Sequence, residues 1–327
     1  MRREGSALNG FGVVMLKEIA DHFSSIIVTV LLAGVTAVAI AVVYLGIGPI
    51  KDTVSGLAIR DYPFLFLLLF SRSSLPVALP TLLSQALVPW FAIALGFDAV
   101  NGEHNQRTLS RILSQPIYRD ALLFGKFAAG LFTLALTFIM LWLMIIGLGL
   151  YGLGLPPNAE EMARALVLLV ITIVYGGLWF AMALLFSIVF RSAAAALVVS
   201  IGLWAFVTFV WPWVAAFLTA SVTTPNNVID FLQTNQAFAR LSPVALYDEI
   251  VTIVLDPSVH SAQQPLVDSY LSRFGLRAIE PGSVPGSPIP LLQSVLIVWP
   301  QIVGLVAGTI VLFVVGYIVF QRQEVRA

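Results

Sequence analysis

The chain has 327 residues, of which 59% are hydrophobic and 10% charged, with a formal net charge of zero and no cysteine. A mean hydropathy of +0.96 belongs to integral membrane proteins, since soluble domains carry roughly a quarter charged residues. Neutrality implies no bulk electrostatic partner such as a nucleic acid, whose binder would need a basic face, and the lack of cysteine excludes disulfides, thiol catalysis and thiolate metal sites.

The N-terminus, "MRREGSALNGFGVVMLKEIADHFSS", begins basic, but Lys17, Glu18 and Asp21 break its apolar run and no small-residue cleavage site follows. It is therefore not read as a signal peptide. Over 9–25, Met15, Leu16, Ile19, Ala20 and Phe23 share one helical arc, while Lys17, Glu18, Asp21, His22 and Ser24 share the opposite one. This predicts a helix lying on the membrane surface rather than a solvated extension, because the apolar arc has no soluble core to face.

A membrane-crossing helix takes about 20 mostly apolar residues. The first such window is 26–47. "YPFLFLLLF" (62–70) is too short to cross and is expected to lie in the interface or to dip in and return. The second window is 76–97. After it comes a charged stretch, "VNGEHNQRTLSRILSQPIYRDALLFGKF" (100–127). Within it Leu109, Ile112 and Leu113 share a narrow apolar arc, with Arg107 and Arg111 across from them, one turn apart. Pro116 cannot continue the hydrogen-bond ladder, so a short two-faced helix is expected over 101–115. On pattern alone it is either a basic loop that sets topology or a docking element.

The third window is 121–150. The apolar stretch 163–220 is too long for one crossing and predicts a hairpin, 163–190 and 193–220, turning at Arg191. The region 221–290 is polar, and in it 242–257 predicts an amphipathic helix that Ser242 caps, Pro243 starts and Asp256-Pro257 ends. The sixth window is 291–320. The fold class expected is therefore an all-α integral membrane protein with six transmembrane helices.

Six spans put both termini on one side. That side holds ten of the 17 basic residues in short segments, while the other seven are spread over longer loops. The bias predicts cytoplasmic termini.

Enzyme signatures are missing. There is no phosphate loop, since "FGKF" at 124–127 lacks the upstream glycine and the following hydroxyl residue. There is no H-E-x-x-H or G-x-S-x-G, and His22, His104 and His260 are far apart in sequence. No ionisable residue lies deep in a span window, which argues against an intramembrane protease or a proton-coupled carrier. Ser84, Gln85, Thr172 and Thr208 are the modest polar groups in the windows and are expected to serve helix packing.

Residues 97–130, "FDAVNGEHNQRTLSRILSQPIYRDALLFGKFAAG", resemble the segment between spans two and three of ABC-2-type transporter permeases. Phe97, Asp98, Glu103, Thr108, Leu109, Leu113, Ser114, Pro116, Ile117, Arg119, Gly125 and Lys126 match that family's pattern. Arg107 stands where the family usually has glycine. "LKEIADHF" resembles the family's N-terminal elbow helix.

The resemblance implies an ABC-2 exporter fold and a permease subunit of the plasma membrane. ATP and magnesium would bind a separate ATPase subunit, leaving no cofactor in this chain. A second permease copy or paralogue would complete the transporter. Residues 101–115 would be the coupling helix, with Leu109, Ile112 and Leu113 as anchor and Glu103, Arg107, Arg111, Pro116 and Arg119 around it. Spans two and five would meet at the dimer axis, making Gln85, Trp90, Trp204 and Phe209 candidates for the translocation path. The alternative from another class is a membrane scaffold that recruits a cytoplasmic protein without transport. An ion-coupled carrier is a third.

Overall fold

A computed structural model of the chain describes residues 7–54, 64, 66–71, 79–102, 119–154, 156–223, 228–257, 259, 261 and 288–322. The described residues form helices and no strand, and six of the helices are long and apolar enough to cross a membrane.

Helix α1 (Ala7–Ser24) leads through Ser25 into α2 (Ile26–Val54). The short α3 (Leu68–Ser71) precedes α4 (Leu79–Gly96). Helix α5 (Arg119–Leu153) has 35 residues and is about 50 Å long, well beyond a ~30 Å hydrocarbon core. It stops at Gly154, whose φ of 71° is open to glycine and lets its N–H reach the Leu150 carbonyl at 3.0 Å. Then come α6 (Ala159–Val189), α7 (Ala193–Val222), α8 (Val228–Ala239), α9 (Pro243–Leu255) and α10 (Leu291–Arg322).

The start of α6 is a capping box. The Asn158 side chain accepts from Glu161 N and the Glu161 carboxylate accepts from Asn158 N, each at 2.8 Å. The other Glu161 oxygen accepts from Phe66 N at 2.6 Å. Of the 62–70 segment, expected to lie in the interface or to dip in and return, Phe66, Leu67, Leu69 and Phe70 are buried against the bundle, and Glu161 satisfies a backbone donor that burial would otherwise strand.

Helix α6 is the axis of the molecule. It packs against α4, α5, α7, α9 and α10, and Trp179, Tyr175 and Phe180 fill the core around it. By contrast α10 and α7 are the least buried spans, with Leu296, Trp299, Val311, Val198 and Phe217 facing outward. Apolar outward faces suit hydrocarbon rather than water.

Region 221–290 is not uniformly irregular. Helix α9 starts as its sequence requires, with the Ser242 hydroxyl capping Ala245 N at 3.4 Å and Pro243 in the first turn. It is preceded by α8, whose weaker apolar pattern gave no expectation. Both lie at the end of the bundle away from the termini. There Arg164, fully buried, donates from its guanidinium to the carbonyls of Val254 (2.8 Å) and Ile289 (2.6 Å) and to Ser294 Oγ (3.2 Å), and pairs with Glu160 at 2.9 Å. One arginine thus ties α6 to the end of α9 and the start of α10.

Candidate functional site

Two places carry polar structure that packing alone does not require. The first is at the termini end, where the ends of the 101–115 segment attach to the bundle. On the leading side, Val100 N and Asn101 N both donate to Ser187 Oγ, at 3.0 and 3.2 Å, near the end of α6. The Asp98 carboxylate lies close to Gly102, where a Cβ would stand 2.7 Å from it. On the trailing side, α5 receives α1. A Cβ on Gly125 would meet Val14 at 2.8 Å and the Phe11 carbonyl at 3.3 Å, so the glycine permits the close crossing. The next residue, Lys126, is buried and pairs with buried Glu18 of α1 at 2.8 Å. Lys17 adds a second contact to Glu18 at 2.9 Å and one to Asp21 at 3.0 Å. His22 Nδ1 lies 3.0 Å from Thr133 Oγ1.

Burial pushes the Glu18 carboxyl up, but the ammonium groups of Lys126 and Lys17 outweigh it and hold the group below its ordinary value. Burial pushes the His22 imidazole down, against the opposing pull of Glu18. Burial raises the Asp98 carboxyl, with Lys126 acting against it.

The amphipathic reading of α1 needs correction in one respect. Its polar arc, through Glu18 and His22, faces α5, while Leu16 and Phe23 point outward. The physical reason is the medium: an apolar arc that meets lipid needs no protein cover, and the buried carboxylate and imidazole find partners on α5.

The second place lies in the spans. Helix α4 opens into a wide π-helical turn at Leu83–Leu87, and α7 does the same at Phe206–Val210. Such turns insert one extra residue and free a backbone carbonyl, and they recur at functional sites. Within the turn of α4 the Gln85 carbonyl accepts from Trp204 Nε1 at 2.8 Å. Trp90 stands edge-on to Trp204 at 5.4 Å, and Trp204 edge-on to Phe209 at 5.6 Å. Gln85, Trp90, Trp204 and Phe209 are thus brought to one junction. Next to it, the Tyr175 hydroxyl donates to the Ser84 carbonyl at 2.6 Å, Tyr175 stacks on Tyr247 at 4.5 Å, and the hydroxyls of Tyr247 and Thr172 share a 2.8 Å bond. Thr172 therefore links α6 to α9, a polar role beyond span packing.

Glu103, Arg107, Leu109, Arg111, Ile112, Leu113 and Pro116 lie outside the described residues. Arg119 is described as the first residue of α5. Sequence reasoning did not find the Glu18–Lys126 pair or the Ser187 anchor. The only available signals were the lone serine near the end of span four and the matching "KE" and "GK" dipeptides. Among the described residues no group of histidines and carboxylates could hold a metal ion.

Six membrane-length helices in an all-α bundle define a multi-pass membrane protein. The chain belongs to the ABC-2 family of transporter proteins: the sequence model of that family, described as "ABC-2 family transporter protein", matches residues 26–325. No curated protein matches the chain. It is a membrane-spanning component of an ABC transporter.

Proposed function

We propose that the chain is the permease half of an ATP-driven exporter of the plasma membrane, with both termini cytoplasmic and a separate ATPase subunit as its motor. The ATPase binds ATP and magnesium; this chain binds neither. Residues 101–115 are the coupling helix, seated on the ATPase through Leu109, Ile112 and Leu113, with Glu103, Arg107 and Arg111 as a charged rim that sets register. Pro116 and Arg119 join it to the lever of α5. A second permease subunit, identical or related, completes the pathway, which runs between α4 and α7 past Gln85, Trp90, Trp204 and Phe209.

The observation that carries this reading is how the segment is attached. Its leading end is pinned to α6 by Ser187, and its trailing end enters α5, which is clamped to α1 by Gly125 and the Lys126–Glu18 pair. Displacement of a segment held in this way pushes on the central helix and on the α1–α5 pair together. A loop that merely sets topology needs no such anchors.

The test is purification of the full chain from its host membrane in mild detergent, as wild type and as Leu109→Asp and Ile112→Asp. An ATPase carrying a phosphate loop is expected to accompany the wild type and to be lost from both variants, which still insert in the membrane. Retention of the ATPase with unchanged ATP-dependent export in both variants overturns the coupling assignment. A folded chain with no ATPase attached moves the scaffold reading ahead.

A further inference from the structure

Helix α9 packs against both wide turns and brings a carboxylate to the one in α4. Asp248 lies beside the Ser84 hydroxyl, one residue before Gln85, whose carbonyl holds the Trp204 indole. The other acids in this half of the molecule have other partners. Glu249 accepts from Arg240 at 2.6 Å and from Gln236 at 2.8 Å, Glu160 pairs with Arg164, and Glu161 caps α6. Among the described residues no basic side chain pairs with Asp248. Burial pushes its carboxyl up to about 6, with the Ser84 hydroxyl acting against that.

A buried carboxyl without a countercharge is costly to ionise, and a bound cation offsets that cost. Two further features of the same junction point to a ligand. Thr208, within the wide turn of α7, is buried and its Oγ1 has no partner. Trp90 and Phe209 of the aromatic group are about half exposed. A hard divalent cation is a poor fit, because it takes six or more oxygen ligands and one carboxylate with two hydroxyls falls short. Aromatic faces with a carboxylate suit a bulky, weakly hydrated organic cation.

We propose that the junction of α4, α7 and α9 binds the positively charged end of an amphiphile, an organic ammonium or phosphonium, with Asp248 as countercharge and Trp90, Trp204 and Phe209 as the apolar wall. This rests on the path running between α4 and α7.

The test uses the full chain in nanodiscs of digalactosyl diacylglycerol, an uncharged lipid, with empty discs as blank. Equilibrium binding is measured for tetraphenylphosphonium and for tetraphenylborate, an anion of the same shape. The wild type is expected to bind the cation saturably and at least about tenfold more tightly than the anion. Asp248→Asn should lose about tenfold in cation affinity and none for the anion, and Asp248→Glu should keep the cation preference. The charge preference of the wild type is read without any variant, so a poorly folding variant does not remove the test. Discs with added phosphatidylcholine separate two sources of the cation. A weaker phosphonium affinity there assigns the site to a lipid headgroup, and an unchanged one to a free amphiphile.

Equal cation affinity in wild type and Asp248→Asn, or no charge preference in the wild type, overturns the proposal. If both ions are then weakened by Trp90→Ala, the path between α4 and α7 stands and only the charge assignment fails. If neither ion responds to Trp90→Ala or Asp248→Asn, both fail.

Discussion

Glu18 and Lys126 are 108 positions apart in the chain and meet in a site that nearly excludes water. Neither end depends on the other alone: Lys17 also contacts Glu18, and Lys126 also acts on the Asp98 carboxyl. Glu18→Leu and Lys126→Met should each still destabilise, by up to about 3–5 kcal/mol, because each leaves a buried charge short of its nearest partner, while the double variant recovers part of the loss. Thermal unfolding in detergent checks this; additive losses would contradict it. His22 gives the junction a pH dependence. Its folded-state value is depressed below 6.5, so its contribution is complete above pH 6.5 and is lost as pH falls through the folded value. The melting temperature should drop over that window, and His22→Gln should flatten the slope.

At the scale of elements, helix contacts separate glycines that matter from those that do not. A Cβ at Gly96 would stand 2.7 Å from the Ala183 Cβ and 3.1 Å from backbone atoms of Leu184 and Phe180, which cannot swing away. At Gly147 nothing lies within 4 Å. Gly96→Ala should destabilise by about 1–3 kcal/mol through forced separation of α4 from α6, and Gly147→Ala should stabilise by up to about 1 kcal/mol through helix propensity. The two melting shifts should have opposite sign; shifts of the same sign would refute the packing argument. The spans themselves were legible in the sequence, because runs of apolar residues this long have no other use. The first turn of α6 was missed although Asn158 and Glu161 spell a capping box, since a hydropathy window discards polar starts. The wide turns could not be read at all. In a helix that is apolar on every side, one extra residue leaves no mark on the hydrophobic period.

For the whole molecule, Arg164 is the tie between the spans and the helices at the far end. Arg164→Leu would strand the Val254 and Ile289 carbonyls and should cost about 3–5 kcal/mol. Hydrogen exchange should then speed up in α9 while α1 and the start of α5 keep their protection; uniform loosening would mean that the tie is not local. The sequence offered no sign of this role, because a basic residue near a helix end reads as a topology signal until its acceptors, 90 and 125 positions away, are in place. The coupling segment shows the reverse. Its motif was the most legible part of the sequence, yet the structure describes only its two anchorages.

The wide turns have one more consequence. An inserted residue advances a helix by about 100°, so α4 and α7 each carry a phase slip partway along their length. In α4 the slip at Leu83–Leu87 sets the direction of Trp90 independently of Leu79. Deleting one residue there would restore an unbroken helix and turn one half against the other, taking the indole of Trp90 away from Trp204 without altering a single side chain in the aromatic group.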